Sequence, residues 1–124
     1  MRHLYQRTME DGFGGLTELS YLGLGWGDAE VAQLSATLRE VNCAGVVTLY
    51  LSRNSELKSG EVLAGVLGQL RGLEVLNLQG CTSLSSLPDS IGQLKALRVL
   101  YLVRCTSLTS VPDFSGLPQL KVYK

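Results

Sequence analysis

The sequence predicts an α/β fold built from stacked repeats, each consisting of one short strand and a return segment. Pairs of leucines two residues apart recur along the chain, as in Leu76/Leu78 and Leu100/Leu102. A spacing of two is that of a strand, whereas the apolar stripe of a helix recurs at three and four. The segments around these pairs recur at intervals of about two dozen residues, which indicates a repeat architecture.

The clearest repeat is seen when residues 73–89 are compared with residues 97–113. Both segments read L-x-V-L-x-L-x-x-C-T-S-L-x-S-x-P-D. Residues 46–54 fit the same frame upstream, and residues 19–27 fit it once more. The chain reaches residue 124 part-way into a fifth copy that begins at Leu120. Strands are therefore expected near residues 19–24, 46–51, 73–78 and 97–102, with a partial repeat from residue 120.

The shared pattern, L-x-x-L-x-L-x-x-N/C-x-L, resembles the leucine-rich repeat family over residues 16–124. The resemblance implies a horseshoe-shaped solenoid with a short parallel sheet on its concave side. The front half is similar to ribonuclease-inhibitor and NOD-type repeats, whose convex side carries helices. The back half, best seen in residues 81–94, resembles repeats of plant-type intracellular immune receptors. Residues 1–15 are expected to be an N-terminal flank or the remnant of a cap.

The return segments differ between the two halves of the chain. Apolar residues recur at helical spacing in residues 31–41, behind Asp28 as the expected N-cap. A second helix is expected in residues 61–70. In the later repeats, Pro88 and Pro112 stand where a helix would run, and proline there favours an extended or 3₁₀ path. Helices are thus expected only on the first repeats.

The ninth position of the repeat holds Gly27, Asn54, Cys81 and Cys105. The resemblance implies that this residue turns inward after the strand. Two alternatives are open for the cysteines: buried free thiols, or a disulfide between Cys81 and Cys105 on adjacent repeats. The strand spacing of about 4.8 Å exceeds the roughly 3.5–4.5 Å between the Cβ atoms of a disulfide, which favours free thiols. Free thiols fit a reducing compartment, so a cytoplasmic location is expected.

Residues that alternate with the inward leucines are expected to form a protein-binding surface on the concave side. Tyr50, Asn77 and Tyr101 fall on consecutive strands, and tyrosine offers wide contact area together with a hydroxyl group. Alternatively, these aromatic residues only cover the sheet, and the valines beside them only favour strand formation. The expected surface consists of Tyr21, Trp26, Thr48, Tyr50, Ser52, Val75, Asn77, Gln79, Val99, Tyr101 and Val103.

The motifs argue against a catalytic, metal or cofactor site. His3 is the only histidine and precedes the repeats, so no base is anchored beside a nucleophile. The sequence contains no G-x-x-x-x-G-K-[ST] or G-x-G-x-x-G motif, and no Cys or His pair has metal-ligand spacing. We therefore expect a protein that is not an enzyme and that binds neither a cofactor nor a metal ion.

Charge and composition suggest which partners to expect. The 124 residues are 45% hydrophobic, enough for one domain with a core. Eleven Lys and Arg balance eleven Asp and Glu, and no apolar run approaches the roughly 20 residues that span a bilayer. We expect a monomer that binds a protein rather than nucleic acid or membrane. The alternatives are a sensor fragment of an immune receptor, acting in signal transduction and defence, or a substrate-recruiting subunit of a ligase or phosphatase complex.

Overall fold

In the computed structural model, which describes residues 17–41 and 43–124, successive strands lie side by side in one parallel sheet. The expectations for residues 1–15 lie outside the described residues. Each strand is three residues long, and the order in the sheet follows the order in the chain. Each repeat therefore adds one strand to the edge of the stack. The strands are β1 (Glu18–Ser20), β2 (Thr48–Tyr50), β3 (Val75–Asn77), β4 (Val99–Tyr101) and β5 (Lys121–Tyr123).

The return segments follow the expected division between the two halves. Helix α1 (Asp28–Leu38) and helix α2 (Gly60–Leu67) follow β1 and β2 and pack against each other. A 3₁₀ helix (Asp89–Gln93) follows β3, directly after Pro88. The segment between β4 and β5 contains turns and no regular secondary structure. Helix α2 ends earlier than expected because Gly68, a poor helix former, stands at its C-cap.

The core is built from the central residue of each strand and from the apolar face of each return segment. Leu19, Leu49, Leu76 and Leu100 are in register on β1 to β4, and all four are fully buried. The buried apolar side chains of α1 and α2 belong to the same hydrophobic cluster. Because every repeat packs on its neighbours, the repeats share one continuous core.

The expected frame of the first repeat is wrong by three residues. Leu19, not Leu22, pairs with Leu49 of β2. As a result, the side chains of Leu22 and Leu24 are 53% and 39% exposed, although both were expected to point inward. Tyr21 takes the buried position that Leu51 holds in the second repeat, and its N–H donates to Tyr50 O just as the Leu51 N–H donates to Asn77 O.

Backbone conformation explains why this frame prevails. In each of the first four repeats, the residue that lies two positions after the second inward-facing side chain has a positive φ. The values are 62° at Gly23, 61° at Arg53, 78° at Gly80 and 66° at Arg104. This left-handed turn favours glycine because a Cβ atom crowds the following carbonyl group. The observed frame puts Gly23 at that turn, whereas the expected frame would put Trp26 there.

The fifth strand is shifted by one residue from its expected frame. The frame that begins at Leu120 would align Tyr123 with Leu100, but Val122 pairs with Leu100 instead. The Leu117–Leu120 turn matches the earlier Leu94–Leu97 turn, and β5 then begins one residue sooner. Val122 is therefore the residue packed against the core, and Tyr123 alternates to the opposite side of the sheet.

Asp28 is not the N-cap of α1. The helix begins at Asp28 itself, with Gly27 as the N-cap, and the Gly27 N–H donates to Glu30 Oε1 at 2.7 Å. The carboxylate of Asp28 reaches the next repeat, where Oδ1 accepts from the backbone N–H groups of Lys58 at 2.8 Å and Ser59 at 3.2 Å. Asp28 thus joins the start of α1 to the segment that leads into α2.

Candidate interaction surface

The side of the sheet opposite the core carries the strand residues that alternate with the buried leucines. We call this surface the open face. Its first row is Glu18, Thr48, Val75, Val99 and Lys121, and its second row is Ser20, Tyr50, Asn77, Tyr101 and Tyr123. Backbone hydrogen bonds continue the pairing just beyond the strands and add a third row of Leu22, Ser52, Gln79 and Val103.

Most of the residues expected at the binding surface do lie together on the open face. The partly exposed members are Thr48, Tyr50, Val75, Asn77, Gln79, Val99, Tyr101 and Val103. Ser52 belongs to the third row, but only 6% of its surface is exposed. Ser52 is therefore almost inaccessible to a partner.

Tyr21 and Trp26 do not belong to the open face. Tyr21 is fully buried and Trp26 is 9% exposed, and their rings stack with centroids 4.4 Å apart and planes 20° from parallel. The three-residue shift of the first repeat places Tyr21 at an inward position. Both aromatic residues are therefore part of the core, and the prediction that places them on the exposed side of the sheet is wrong.

The same frame shifts bring further residues to the open face, which the expected frames do not place there. In the first repeat these are Glu18, Ser20 and Leu22, and in the last they are Lys121 and Tyr123. Tyr123 stacks on Tyr101 with ring centroids 5.2 Å apart. The signal for the first shift was present in the sequence, since Gly23 aligns with Gly80 at the left-handed turn.

A depression of about 290 Å³ lies on the open face between β2 and β3. It is lined by Leu22, Tyr50, Ser52, Arg53, Asn77 and Gln79. Asn77 Oδ1 accepts a hydrogen bond of 2.9 Å from the backbone N–H of Gln79, which fixes the orientation of the Asn77 amide. The lining thus combines polar side chains, one cation and one exposed leucine.

The ninth residue of the second, third and fourth repeats anchors the turn after the preceding strand. Asn54 Nδ2 donates to the carbonyl oxygens of Tyr21 and Leu51, each at 2.9 Å, and Asn54 Oδ1 accepts from two backbone N–H groups. Cys81 Sγ makes only the equivalent bond to the preceding repeat, to Leu51 O at 3.2 Å. Cys105 Sγ likewise donates to Leu78 O at 3.0 Å.

All three cysteines are free thiols rather than members of a disulfide. Burial raises the pKa of the Cys81 thiol to about 11, and it also raises the pKa values of Cys43 and Cys105. A thiolate is the reactive form of cysteine, so these side chains act as buried hydrogen-bond donors and small apolar groups.

The described part of the chain shows no group of three or more His, Cys, Asp or Glu side chains that is placed to hold a metal ion. Within residues 17–41 and 43–124, no helix has both the length and the apolar character needed to cross a bilayer.

Comparison with known proteins adds one finding. The family model described as Leucine Rich Repeat matches residues 72–94, which include β3, the Cys81 turn and the 3₁₀ helix. This match, together with the five-stranded parallel sheet, supports a leucine-rich repeat fold. No curated protein and no solved structure matches the chain significantly. The resemblance of the two halves to different subclasses stays a prediction.

Proposed function

We propose that the chain is a non-catalytic module that binds another protein on its open face. The observation that carries the proposal is the second row, in which Tyr50, Asn77, Tyr101 and Tyr123 lie side by side on consecutive parallel strands. The backbone of these strands is held by its neighbours, so a partner would meet the side chains already positioned. The match to the leucine-rich repeat family supports the proposal, because such repeats are typically interaction modules.

The distribution of charge on the open face also favours protein binding. The central residues of the first two rows carry no charge, namely Thr48, Val75, Val99, Tyr50, Asn77 and Tyr101. Within these two rows, charged side chains stand only at the ends of the first row, Glu18 on β1 and Lys121 on β5, while Arg53 lies beyond the end of β2. An uncharged, tyrosine-rich centre with charges at its rim is the composition of typical protein interfaces. Tyrosine is also enriched among the residues that dominate binding energy.

Affinity capture from a native lysate, followed by quantitative mass spectrometry, tests this proposal. The bait variant changes Tyr50, Asn77 and Tyr101 to alanine. The matched control changes Gln33, Arg39 and Glu40, three exposed residues on or just after α1, to alanine. We expect at least one protein to bind the wild-type chain and the control but not the open-face variant. If both variants capture the same proteins and remain folded by circular dichroism, the open face is not the binding surface.

We further propose that the protein works in a reducing compartment. The support is that Cys43, Cys81 and Cys105 are buried free thiols with no disulfide among them. Disulfides persist in oxidising compartments. Maleimide labelling of the denatured protein from acid-quenched cells measures the number of free thiols. Three labelled thiols are expected, and fewer would contradict the proposal.

A further inference from the structure

We propose that the depression between β2 and β3 is a carboxylate subsite, which receives an aspartate or glutamate side chain of the partner protein. Arg53 is the cation that pairs with this carboxylate. The inference rests on the proposed function, because it names the chemistry that one part of the open face selects. It goes beyond that function because binding to the open face alone does not require an acidic partner.

The depression is rich in unused hydrogen-bond donors. The Oδ1 atom of Asn77 is engaged by the Gln79 N–H, so the Asn77 amide keeps both of its N–H donors available. Within the described residues, no hydrogen bond involves the side chains of Tyr50, Gln79 or Arg53. Together these four side chains supply a hydroxyl, two carboxamides and a guanidinium group.

No carboxylate balances the cation. None of the residues that line the depression is acidic, and Arg53 makes no ion pair within the described residues. An arginine can bind a carboxylate through two parallel N–H donors, and such charge-assisted bonds are stronger than neutral ones. Leu22, which is 53% exposed, supplies an apolar wall that can cover the methylene groups of an acidic side chain.

The two glycines at the equivalent position of the neighbouring repeats leave space beside Arg53. Arg53 lies at the left-handed turn of its repeat, and the same position is Gly23 in the repeat before and Gly80 in the repeat after. A Cβ atom at Gly80 would stand 3.3 Å from Arg53 Cγ, and one at Gly23 would stand 4.0 Å from Arg53 Cβ. At this repeat position, therefore, neither neighbouring repeat places a side chain beside the arginine.

Arg104 offers a matched comparison for Arg53. It has the same repeat position and a similar φ of 66°, but it does not line the depression. A general effect of positive charge near the sheet would involve both arginines, whereas the proposed subsite requires only Arg53. The inference can therefore be tested by exchanging one arginine at a time.

The test uses peptides as probes. A phage library of random dodecapeptides is panned on the full chain, and the Tyr50/Asn77/Tyr101 alanine variant serves to remove peptides that bind elsewhere. Selected sequences are synthesised with amidated C-termini, so that side chains provide the only carboxylates. Each Asp or Glu is then changed to Asn or Gln, and Kd is measured by fluorescence anisotropy.

We expect one acidic position at which the change to an amide weakens binding to the wild-type chain about tenfold. Against Arg53→Gln the same change is expected to have an effect of no more than about twofold, because the ion pair is already absent. Against Arg104→Gln the full loss should persist. Arg53→Gly removes the cation and relieves the left-handed strain together, so it should bind as weakly as Arg53→Gln while melting at an equal or higher temperature.

Two results would overturn the inference and leave the proposed function intact. One is that peptides specific for the open face contain no acidic residue. The other is that the change from acid to amide costs the same affinity against wild type and Arg53→Gln. If instead every selected peptide binds the open-face variant as well as it binds the wild type, the proposed function fails and the carboxylate subsite fails with it.

Discussion

Asn54 donates a hydrogen bond of 2.9 Å from Nδ2 to the carbonyl oxygen of Tyr21, which belongs to the preceding repeat. The amide also serves Leu51 O and the N–H groups of Leu24 and Trp26, so one buried side chain satisfies four backbone groups. Buried polar groups in proteins are nearly always paired, and an orphaned group costs its full desolvation penalty. Asn54 therefore links the second repeat to the first through a buried side chain.

Replacing Asn54 with alanine is expected to lower the free energy of unfolding by about 2–4 kcal/mol, since several buried backbone groups lose their partner. Urea denaturation followed by circular dichroism measures the loss. Ser55→Ala, at the exposed neighbouring position, is the control and should change stability by less than about 0.5 kcal/mol. Equal stability of the two variants would contradict the assigned role of Asn54.

Leu19 and Leu22 distinguish the two possible frames of the first repeat. Leu19 is fully buried and Leu22 is 53% exposed. Leu19→Ala should therefore destabilise the protein by about 2–4 kcal/mol, and Leu22→Ala by less than about 0.5 kcal/mol. Thermal melting of the two variants makes the comparison directly. A larger loss for Leu22→Ala would restore the frame in which Leu22, Leu24 and Trp26 follow the pattern of the second repeat.

A side chain at Gly80 is expected to destabilise the protein. Its φ is 78°, and an added Cβ atom would stand 3.3 Å from Arg53 Cγ. Gly80→Ala should cost about 1–2 kcal/mol because an L-residue is strained in the left-handed region. Gly116→Ala, at an exposed glycine where an added Cβ atom would lie 3.6 Å from Lys95 Nζ, is a suitable control and should cost less. Urea midpoints of the two variants provide the test.

Arg104 presents the opposite case, because a non-glycine residue occupies the left-handed turn with a φ of 66°. Arg104→Gly should raise the free energy of unfolding by about 0.5–1 kcal/mol, since glycine adopts this conformation without strain. Arg98→Gly, which changes an exposed arginine just before β4, is the comparison and is expected to lose stability. A melting temperature of Arg104→Gly below that of wild type would contradict the strain argument.

The buried thiol of Cys81 predicts a loss of stability at alkaline pH. Below pH 9.0, the ordinary pKa of cysteine, the thiol is protonated in both the folded and the unfolded chain. Its full contribution to the free energy of unfolding is then present. As the pH rises from 9.0 to about 11, the unfolded chain ionises first and stability falls. We expect Cys81 to account for about 1–2 kcal/mol of this fall, because partial solvation weakens the effect.

Cys81→Ser isolates that contribution, because the serine hydroxyl does not titrate in this range. The difference in unfolding free energy between wild type and Cys81→Ser should shrink between pH 8 and pH 10.5. A difference that stays constant would show that the Cys81 thiol is not protected from ionisation in the folded protein.

The middle of the fold could be predicted from the sequence, and its two ends could not. β2, β3 and β4 lie within the expected ranges because their leucine pairs are flanked by repeats of nearly equal length. At the first repeat, Leu16, Leu19, Leu22 and Leu24 allow two frames of similar hydrophobicity. The left-handed turn decides between them, and that is a property of the backbone, which the sequence indicates only through Gly23.

The candidate site was predictable to the same extent. Tyr50, Asn77 and Tyr101 were placed correctly because they alternate with well-defined leucines. Tyr123 was missed because the last return segment is one residue shorter in the structure than in the expected frame. The depression beside Arg53 could not be foreseen, since its apolar wall is Leu22, which the expected frame had placed inside the core.

The residue that anchors the turn is Asn54 in the second repeat and a cysteine, Cys81 or Cys105, in the next two. This difference predicts the order in which the repeats open locally. The turn of the first repeat is held by three hydrogen bonds with the Asn54 amide, whereas the turns of the second and third repeats are each held by one weak thiol bond. Local opening under native conditions should therefore start in the thiol-bonded repeats and reach the asparagine last. Amide hydrogen exchange should show Gly80 and Cys81, in the turn that Cys105 anchors, losing protection well before Leu24 and Trp26.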